Sequence, residues 1–368
     1  MLLSVLRLAA LGGIAYLGFA LFRVTTYRRS QTNAGTFAPP LTLLKPLCGL
    51  EPQLYENLCS FCDQEYPEFQ VVFSAADAHD PALEVARAVA SRFSGGDIAV
   101  AAGAVSARVT NPKIANLLGA MPHAKHDILI IADSDMRVGR GYLAAVAGTF
   151  AGARTGAATC LYRGRAADGF AAALGAAFVN DQFAPSVLVA TALQPLRFCF
   201  GSTMAVRREA LEAIGGLEAL GEQLADDYAL GRLVAARGWA VAMAPYVVEN
   251  VIYDQSLAAL WRHELRWART IASVRPAGYA LSIFSYGVPI ALAYLFVAPA
   301  SLSAWTLVCT AAALRVTLHY AVRRPLEIRD SPKPWLVPVR DLFGCAVWFA
   351  GLFGTGVFWR ERRMRTRG

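Results

Sequence analysis

The sequence predicts an α/β domain with a mainly parallel, Rossmann-like sheet, held between membrane segments at both ends. Three observations carry this. Apolar residues make up 56% of the 368 residues and charged residues 17%, against roughly 25% charged in a soluble protein. The apolar excess sits at the two ends. Between them, short β-rich apolar runs alternate with stretches of helical periodicity, the pattern of strands joined by crossover helices.

The elements follow in order. Residues 2–22 are apolar except for Arg7, and about 20 such residues span a bilayer as a helix. No small-residue cleavage pattern follows, so 1–24 reads as an uncleaved anchor. Arg23, Arg28 and Arg29 lie after it, so the next domain should face the cytosol. Residues 25–40 form a linker that turns polar and ends on two prolines. The catalytic-type region covers 41–275, with strands expected at Thr42–Leu44, Phe69–Ala75, Ile98–Ala101 and Asp127–Ala132. Helices are expected at Glu51–Glu65, Pro81–Phe93, Pro112–Gly119 and Tyr228–Arg237. Asp127–Ala132 is continuously apolar and so buried on both faces. Residues 276–368 form a C-terminal membrane region with a basic tail. Tyr279–Pro299 and Ser301–Val322 are candidate spans. Leu342–Phe358 is a third apolar run, crossing, re-entrant or interfacial.

The net charge of +8 could suit nucleic acid, anionic lipid or a phosphate-bearing substrate. The arginines flank apolar runs, which excludes nucleic acid and points to a membrane surface. Seven scattered cysteines indicate a reduced protein without a disulfide framework. Cys59 and Cys62 have metal or redox spacing, but as a single pair on an amphipathic stretch they read as packed helix residues.

Ligands of parallel sheets bind beyond the carboxyl ends of the strands, so the chemistry should follow strands directly. Asp133-Ser134-Asp135 comes straight after the buried strand. Two such carboxylates can share a divalent cation, Mg2+ or Mn2+, and leave positions free for phosphate oxygens. Asp also suits turns. Asp77 and Asp80 follow the second strand and suit a nucleotide's base or ribose, while Asp80 equally suits an N-cap before Pro81. Asn111-Pro112-Lys113-Ile114-Ala115-Asn116 opens a helix whose N-terminus and lysine suit a diphosphate or a plain surface helix start. Asp226 and Asp227 are adjacent carboxylates, either a general base with a neighbour that raises its pKa or an N-terminal helix pair. The basic and aromatic run Trp261–Arg269 reads as a membrane-interface belt or a phosphate clamp.

Taken in order, LLKPLCGLEP, the D-x-x-D-P-A segment at 77–82, NPKIANL, ADSDMRV, CFGSTMAVRREAL, GGLEAL with LADDYALG, and HELRW resemble the ceramide glucosyltransferase family, glycosyltransferase family 21. The resemblance covers about residues 40–275 and implies a GT-A fold and an inverting transfer from a UDP-sugar to a membrane lipid hydroxyl. It implies donor binding at Asp77, Asp80, Lys113, Asn116, Asp133, Arg266 and Trp267. It further implies metal binding at Asp133 and Asp135, a base at Asp227 beside Asp226, and acceptor binding at Gly201 and His263. His263 departs from the family's Gln or Arg at that position. A His before the family's proline is Ala184 here. LYRGRAADG, FAPSVLVA and HELRWARTI look closer to bacterial enzymes that add N-acetylglucosamine to bacteriohopanetetrol, so the resemblance leans to a hopanoid acceptor with ceramide as the alternative. Two rivals are a processive polysaccharide synthase, which needs more spans after the motif, and a membrane nucleotide-sugar-binding protein with a dead site.

Overall fold

The structure, a computed structural model, describes residues 1–29, 37–103, 109–353, 356–359 and 362–365. The core of the expected linker, 30–36, lies outside them, as does part of the basic tail. The chain forms two compact units: Arg29–Tyr162 with Pro195–Val251, and Met1–Arg28 with Arg163–Gln194 and Ile252–Gly368. Against the expected single stretch 41–275, Arg163–Gln194 and 252–275 belong to the second unit.

In chain order the helices and strands are α1 (Leu2–Thr26), β1 (Leu41–Leu47), α2 (Leu54–Cys62), β2 (Phe69–Ala75), α3 (Ala82–Arg92), β3 (Asp97–Ala102), α4 (Pro112–Ala120), β4 (Ile128–Ile131), β5 (Met136–Arg137) and α5 (Tyr142–Gly148). Then come β6 (Thr155–Ala166), α6 (Gly169–Phe178), α7 (Ala184–Leu193), β7 (Met204–Arg207), α8 (Arg208–Ala213), α9 (Asp226–Ala236), β8 (Ala240–Ile252) and α10 (Leu257–Val274). The chain closes with α11 (Pro276–Leu281), α12 (Gly287–Val297), α13 (Leu302–Ala321), α14 (Leu336–Gly351), β9 (Gly356–Trp359) and β10 (Arg362–Arg365).

The α/β unit is built on a sheet of order β3-β2-β1-β4-β7-β6-β8-β5. Its first half is parallel, with Leu41 opposite both Phe69 and Ile128. Beyond β4, the pairs β4–β7, β7–β6 and β8–β5 are antiparallel, so the sheet is mixed rather than mainly parallel. The regular alternation of strand and helix that predicts parallel pairing stops after β4, and β7 runs in the opposite sense between β4 and β6. β4 is buried on both faces. Ile128 and Ile130 pack in one cluster with α2, α3 and α5, and Leu129 and Ile131 in another with α4, α8 and α9. Alternate residues of a strand face opposite sides, and both sides here are dry. Cys59 and Cys62 lie on α2 as free thiols, Cys62 buried, and burial pushes the Cys62 thiol up to about 12.

Among the described residues, the helical unit holds two helices long and apolar enough to cross a membrane, α1 and α13, or a third if α11 and α12 form one broken span. A Cβ on Gly13 would meet Gly287 Cα at 2.8 Å, so α1 and α12 approach at a small-residue contact. The expected span Tyr279–Pro299 is broken, with its two parts bent by 69°. Pro289 removes the N–H that would bond Ser285 and its ring clashes with that carbonyl, so the helix restarts at Gly287. The third apolar run is also not one helix. α14 begins earlier, at Leu336, carries buried Arg340 and Asp341, and is followed by the β9–β10 hairpin.

Candidate active site

Asp133 emerges just beyond the carboxyl end of β4. Its backbone N–H donates to Gly201 O at 3.3 Å. Ser134 turns inward, donating to Glu51 Oε2 at 2.7 Å, and its carbonyl accepts from Asn57 Nδ2 at 3.3 Å. Asp135 is held by Asn250 Nδ2, which donates to Oδ2 at 2.9 Å, and by its carbonyl, which accepts from Val251 N at 3.0 Å. Oδ1 of Asp135 is buried without a hydrogen-bond partner. Burial, with Asp133 and Glu51 adding negative charge, raises the Asp135 carboxyl to about 7. An orphaned carboxylate oxygen of this kind is relieved by a hard divalent cation. No group of three His, Cys, Asp or Glu residues able to hold a metal exists among the described residues. Asp133 and Asp135, with the orphaned Asp135 Oδ1, are a hard oxygen donor set that would suit a divalent cation.

Two lysines sit under this turn. Asn111 caps α4, its Oδ1 accepting from Lys113 N at 2.9 Å and Ile114 N at 3.3 Å. That places Lys113 Nζ 2.7 Å from Asp133 Oδ1 and 3.1 Å from Asp226 Oδ2. Burial works against its charge, but Asp133 and Asp226 outweigh it and the pKa is raised. Lys45, in β1, is fully buried, donates to the Asp133 carbonyl and lies 3.7 Å over the Phe61 ring. Burial lowers it to about 7, with Asp133 and Asp135 opposing. Lys45, Glu51 and Asn250 were not singled out by sequence reasoning. The available signal was a charged or amide residue inside an otherwise apolar strand, Lys45 in LTLLKPL and Asn250 beside Glu249 in YVVENVI.

Asp227 is fixed at the start of α9 by two backbone donors. Gly201 N donates to Oδ2 at 3.0 Å and Tyr228 N to Oδ1 at 2.7 Å. Burial and then the adjacent Asp226 raise its carboxyl to about 7, in the range that suits a general base near neutral pH. A Cβ on Gly201 would stand 2.5 Å from Asp133 Oδ2 and 3.8 Å from Asp227 Oδ2. The α/β unit thus brings together Lys113, Asp133, Asp135, Gly201, Asp226 and Asp227.

Three other predicted residues are engaged with backbone. Both Asp80 oxygens accept from Gly49 N at 2.9 Å, and Oδ1 also accepts from Ala82 N at 2.9 Å, so Asp80 caps α3 and pins the loop after β1. Asp77 is exposed and accepts from His79 N. Asn116 donates to Leu47 O and Ser74 O at 3.0 Å each, joining the carboxyl ends of β1 and β2. Its Oδ1 is buried without a partner, beside a cleft lined by Ser74, Ala75, Ala101 and Ala102.

His263, Arg266 and Trp267 belong to the helical unit, on α10, whose start is capped by Ser256. His263 Nδ1 lies 3.2 Å from Asp254 Oδ2. Its ring is 4.2 Å from that of Trp267, which stacks on Phe178 at 5.9 Å. Thr270 Oγ1 donates to Arg266 O at 2.9 Å.

Ceramide glucosyltransferase 1 of Caenorhabditis elegans is 24% identical over 239 residues, covering 65% of this chain and 51% of that protein. A ceramide glucosyltransferase of Gibberella zeae is 33% identical over 142 residues, 36% of this chain and 27% of that protein. The chain spans about half the length, or less, of these curated relatives. A solved structure described as mannosyltransferase PcManGT from Pyrobaculum calidifontis in complex with GDP-Man and Mn2+ is 19% identical. It shares the fold, with a TM-score of 0.59 over 95% of this chain and 97% of that one. The family model for glycosyl transferase family 21 matches residues 5–368; with the GT-A fold in place, the chain belongs to that family of glycosyltransferases.

Proposed function

We propose that this chain transfers glucose from UDP-glucose to the primary hydroxyl of ceramide or a closely similar membrane lipid, by a single inverting displacement. The observation that carries the reading is the convergence of Asp133 and Asp227 on Gly201, with the orphaned Asp135 oxygen two residues on. Asp227 accepts the proton of the acceptor hydroxyl as that oxygen attacks the anomeric carbon. Gly201 keeps the space in front of Asp227 clear, and its N–H holds Oδ2 in place. Asp133 and Asp135 would hold Mg2+ or Mn2+, which supplies charge neutralisation for the diphosphate leaving group. Lys113 bridges the Asp133 and Asp226 carboxylates. Asp77, Asp80, Asn116, Arg266 and Trp267 keep the donor-binding roles that the family resemblance gives them, and His263 and Gly201 the acceptor role.

The acceptor reading is supported by the relatives. Proteins 24%, 29% and 33% identical to this chain over the matched stretches are named ceramide glucosyltransferases, which favours ceramide over a hopanoid and glucose over N-acetylglucosamine. The apolar α1 and α13 favour a multi-pass protein of the inner membrane. The arginines after α1 favour a catalytic unit facing the cytosol. The test is mass spectrometry of the products of the purified full chain in vesicles. One vesicle set carries ceramide with UDP-glucose, the other bacteriohopanetetrol with UDP-N-acetylglucosamine. A glycosylated ceramide in the first supports the reading. Product only in the second replaces it with the hopanoid acceptor, and a polymer ladder on a gel replaces it with a processive synthase. Absence of UDP release in both overturns catalysis by this site.

A further inference from the structure

We propose that Glu264 and Arg340 are positioning residues for Trp267, a buried ion pair that sets the orientation of the α10 face carrying His263, Glu264 and Trp267. The proposal rests on the donor-binding reading of Trp267. Arg340 is 0% exposed and Glu264 3%. Arg340 Nη1 donates to Glu264 Oε1 at 2.6 Å and Nη2 to Oε2 at 2.7 Å. Two parallel bonds of this kind fix direction as well as distance. Nη1 also reaches the Leu174 carbonyl at 3.4 Å.

The same guanidinium lies 5.4 Å over the Phe178 ring and 5.1 Å over that of Phe343. Phe178 is the ring on which Trp267 stacks, at 5.9 Å and 24°. Glu264 and Trp267 are three residues apart on α10, hence on one face. One cation therefore grips the motif twice, through its carboxylate and through the ring beneath its indole.

α14 has its own anchor. Asp341, also 0% exposed, receives Arg315 Nε on both oxygens at 2.9 Å. With Asp341 fixed to α13, the neighbouring Arg340 has a fixed origin from which to hold α10. Replacing a buried pair by well-packed apolar residues is often neutral or stabilising, so stability alone gives this pair little reason to be charged. Orientation of the motif does.

The test is a double-mutant cycle on the full chain in vesicles, with kcat and donor KM measured alongside the thermal midpoint. Arg340→Met is expected to lower kcat about 100-fold, the scale of a 1 Å misplacement. Arg340→Lys, which keeps the charge but loses the fork, should restore only part of it. Trp267→Ala should also lower activity, and the double variant should be no worse than the more damaged single one, because Arg340 acts through Trp267. If Arg340→Met does not accumulate, Glu264→Gln, which preserves volume, replaces it in the cycle. Wild-type turnover in the folded single variant, or losses that multiply in the double, overturns the positioning role. Wild-type turnover in Trp267→Ala instead overturns the donor-binding reading of the motif, and with it this proposal.

Discussion

The backbone N–H of Gly201 donates to Oδ2 of Asp227 at 3.0 Å, while the space a Cβ would need on Gly201 is taken by Asp133 Oδ2, 2.5 Å away. Position 201 is therefore a glycine because it must carry nothing on the side facing Asp133; its amide, a donor that any residue but proline would supply, holds Asp227. Gly201→Ala pushes Asp133 aside or draws the amide off Asp227. Transfer should fall about 100-fold, the scale of a 1 Å misplacement, with the thermal midpoint little changed. Steady-state kinetics beside a melting curve would check it, and an active Gly201→Ala would remove this crowding from the mechanism.

Asp227→Asn preserves volume, keeps only one of the two backbone contacts to oxygen and removes the basic lone pair. Turnover should drop about a thousandfold, the range of a lost general base, and UDP-glucose should bind as before by calorimetry. Retained turnover would take the base role from Asp227.

The pH dependence follows from the same residue. Burial and Asp226 raise the Asp227 carboxyl to about 7, against about 4 for an ordinary aspartate. The working form is the unprotonated one. Activity is thus present above pH 7 and is lost as the pH falls through it, kcat/KM at pH 6 being about a tenth of its plateau. An acid limb near pH 4 would mean that Asp227 is not the titrating group.

Asn250 donates to Asp135 Oδ2 and leaves Oδ1 as the free oxygen. Residues that orient a metal ligand typically affect affinity 10- to 100-fold. Asn250→Ala should raise the Mn2+ concentration for half-maximal activity about tenfold, and Asp135→Asn about 100-fold. A chelator should abolish transfer reversibly. Metal titrations read all three, and an Asp135→Asn titration superimposing on the wild type would place the cation elsewhere.

Much of the α/β unit was legible because local pattern carries it. Phe69–Ala75 has the bounds of β2, and the unbroken apolar run before Asp133 is the doubly buried β4. Asn111-Pro112 announced the start of α4 through a cap and a proline in the first turn. The antiparallel half of the sheet was not legible, because nothing in the later strands' own periodicity states which neighbour they pair with. Buried charges were missed for a related reason. Lys45 meets Asp133 88 residues away, and Glu264 meets Arg340 76 residues away. A charge in an apolar run signals only that some partner exists. The candidate site itself was readable as a set of short motifs, but the role of Lys113 as a bridge between Asp133 and Asp226 needed the fold.

Arg315 lies on α13, a helix apolar enough to cross a membrane, and is 1% exposed. Its partner Asp341 is fully buried and takes Nε and Nη2 together. Removing one partner of such a pair leaves a buried charge uncompensated, at a cost of about 3–5 kcal/mol. Arg315→Met should therefore lower the thermal midpoint of the full chain in detergent sharply. Arg315→Met with Asp341→Leu removes both charges and should recover most of the loss. Recovery should stop short of complete, because Arg315 Nη1 also donates to the Asp181 carbonyl at 2.6 Å. An unpaired buried carbonyl costs about 1–3 kcal/mol. If the double variant melts no higher than the single, the damage lies in the lost Asp181 contact and the packing around it, not in the orphaned Asp341 charge.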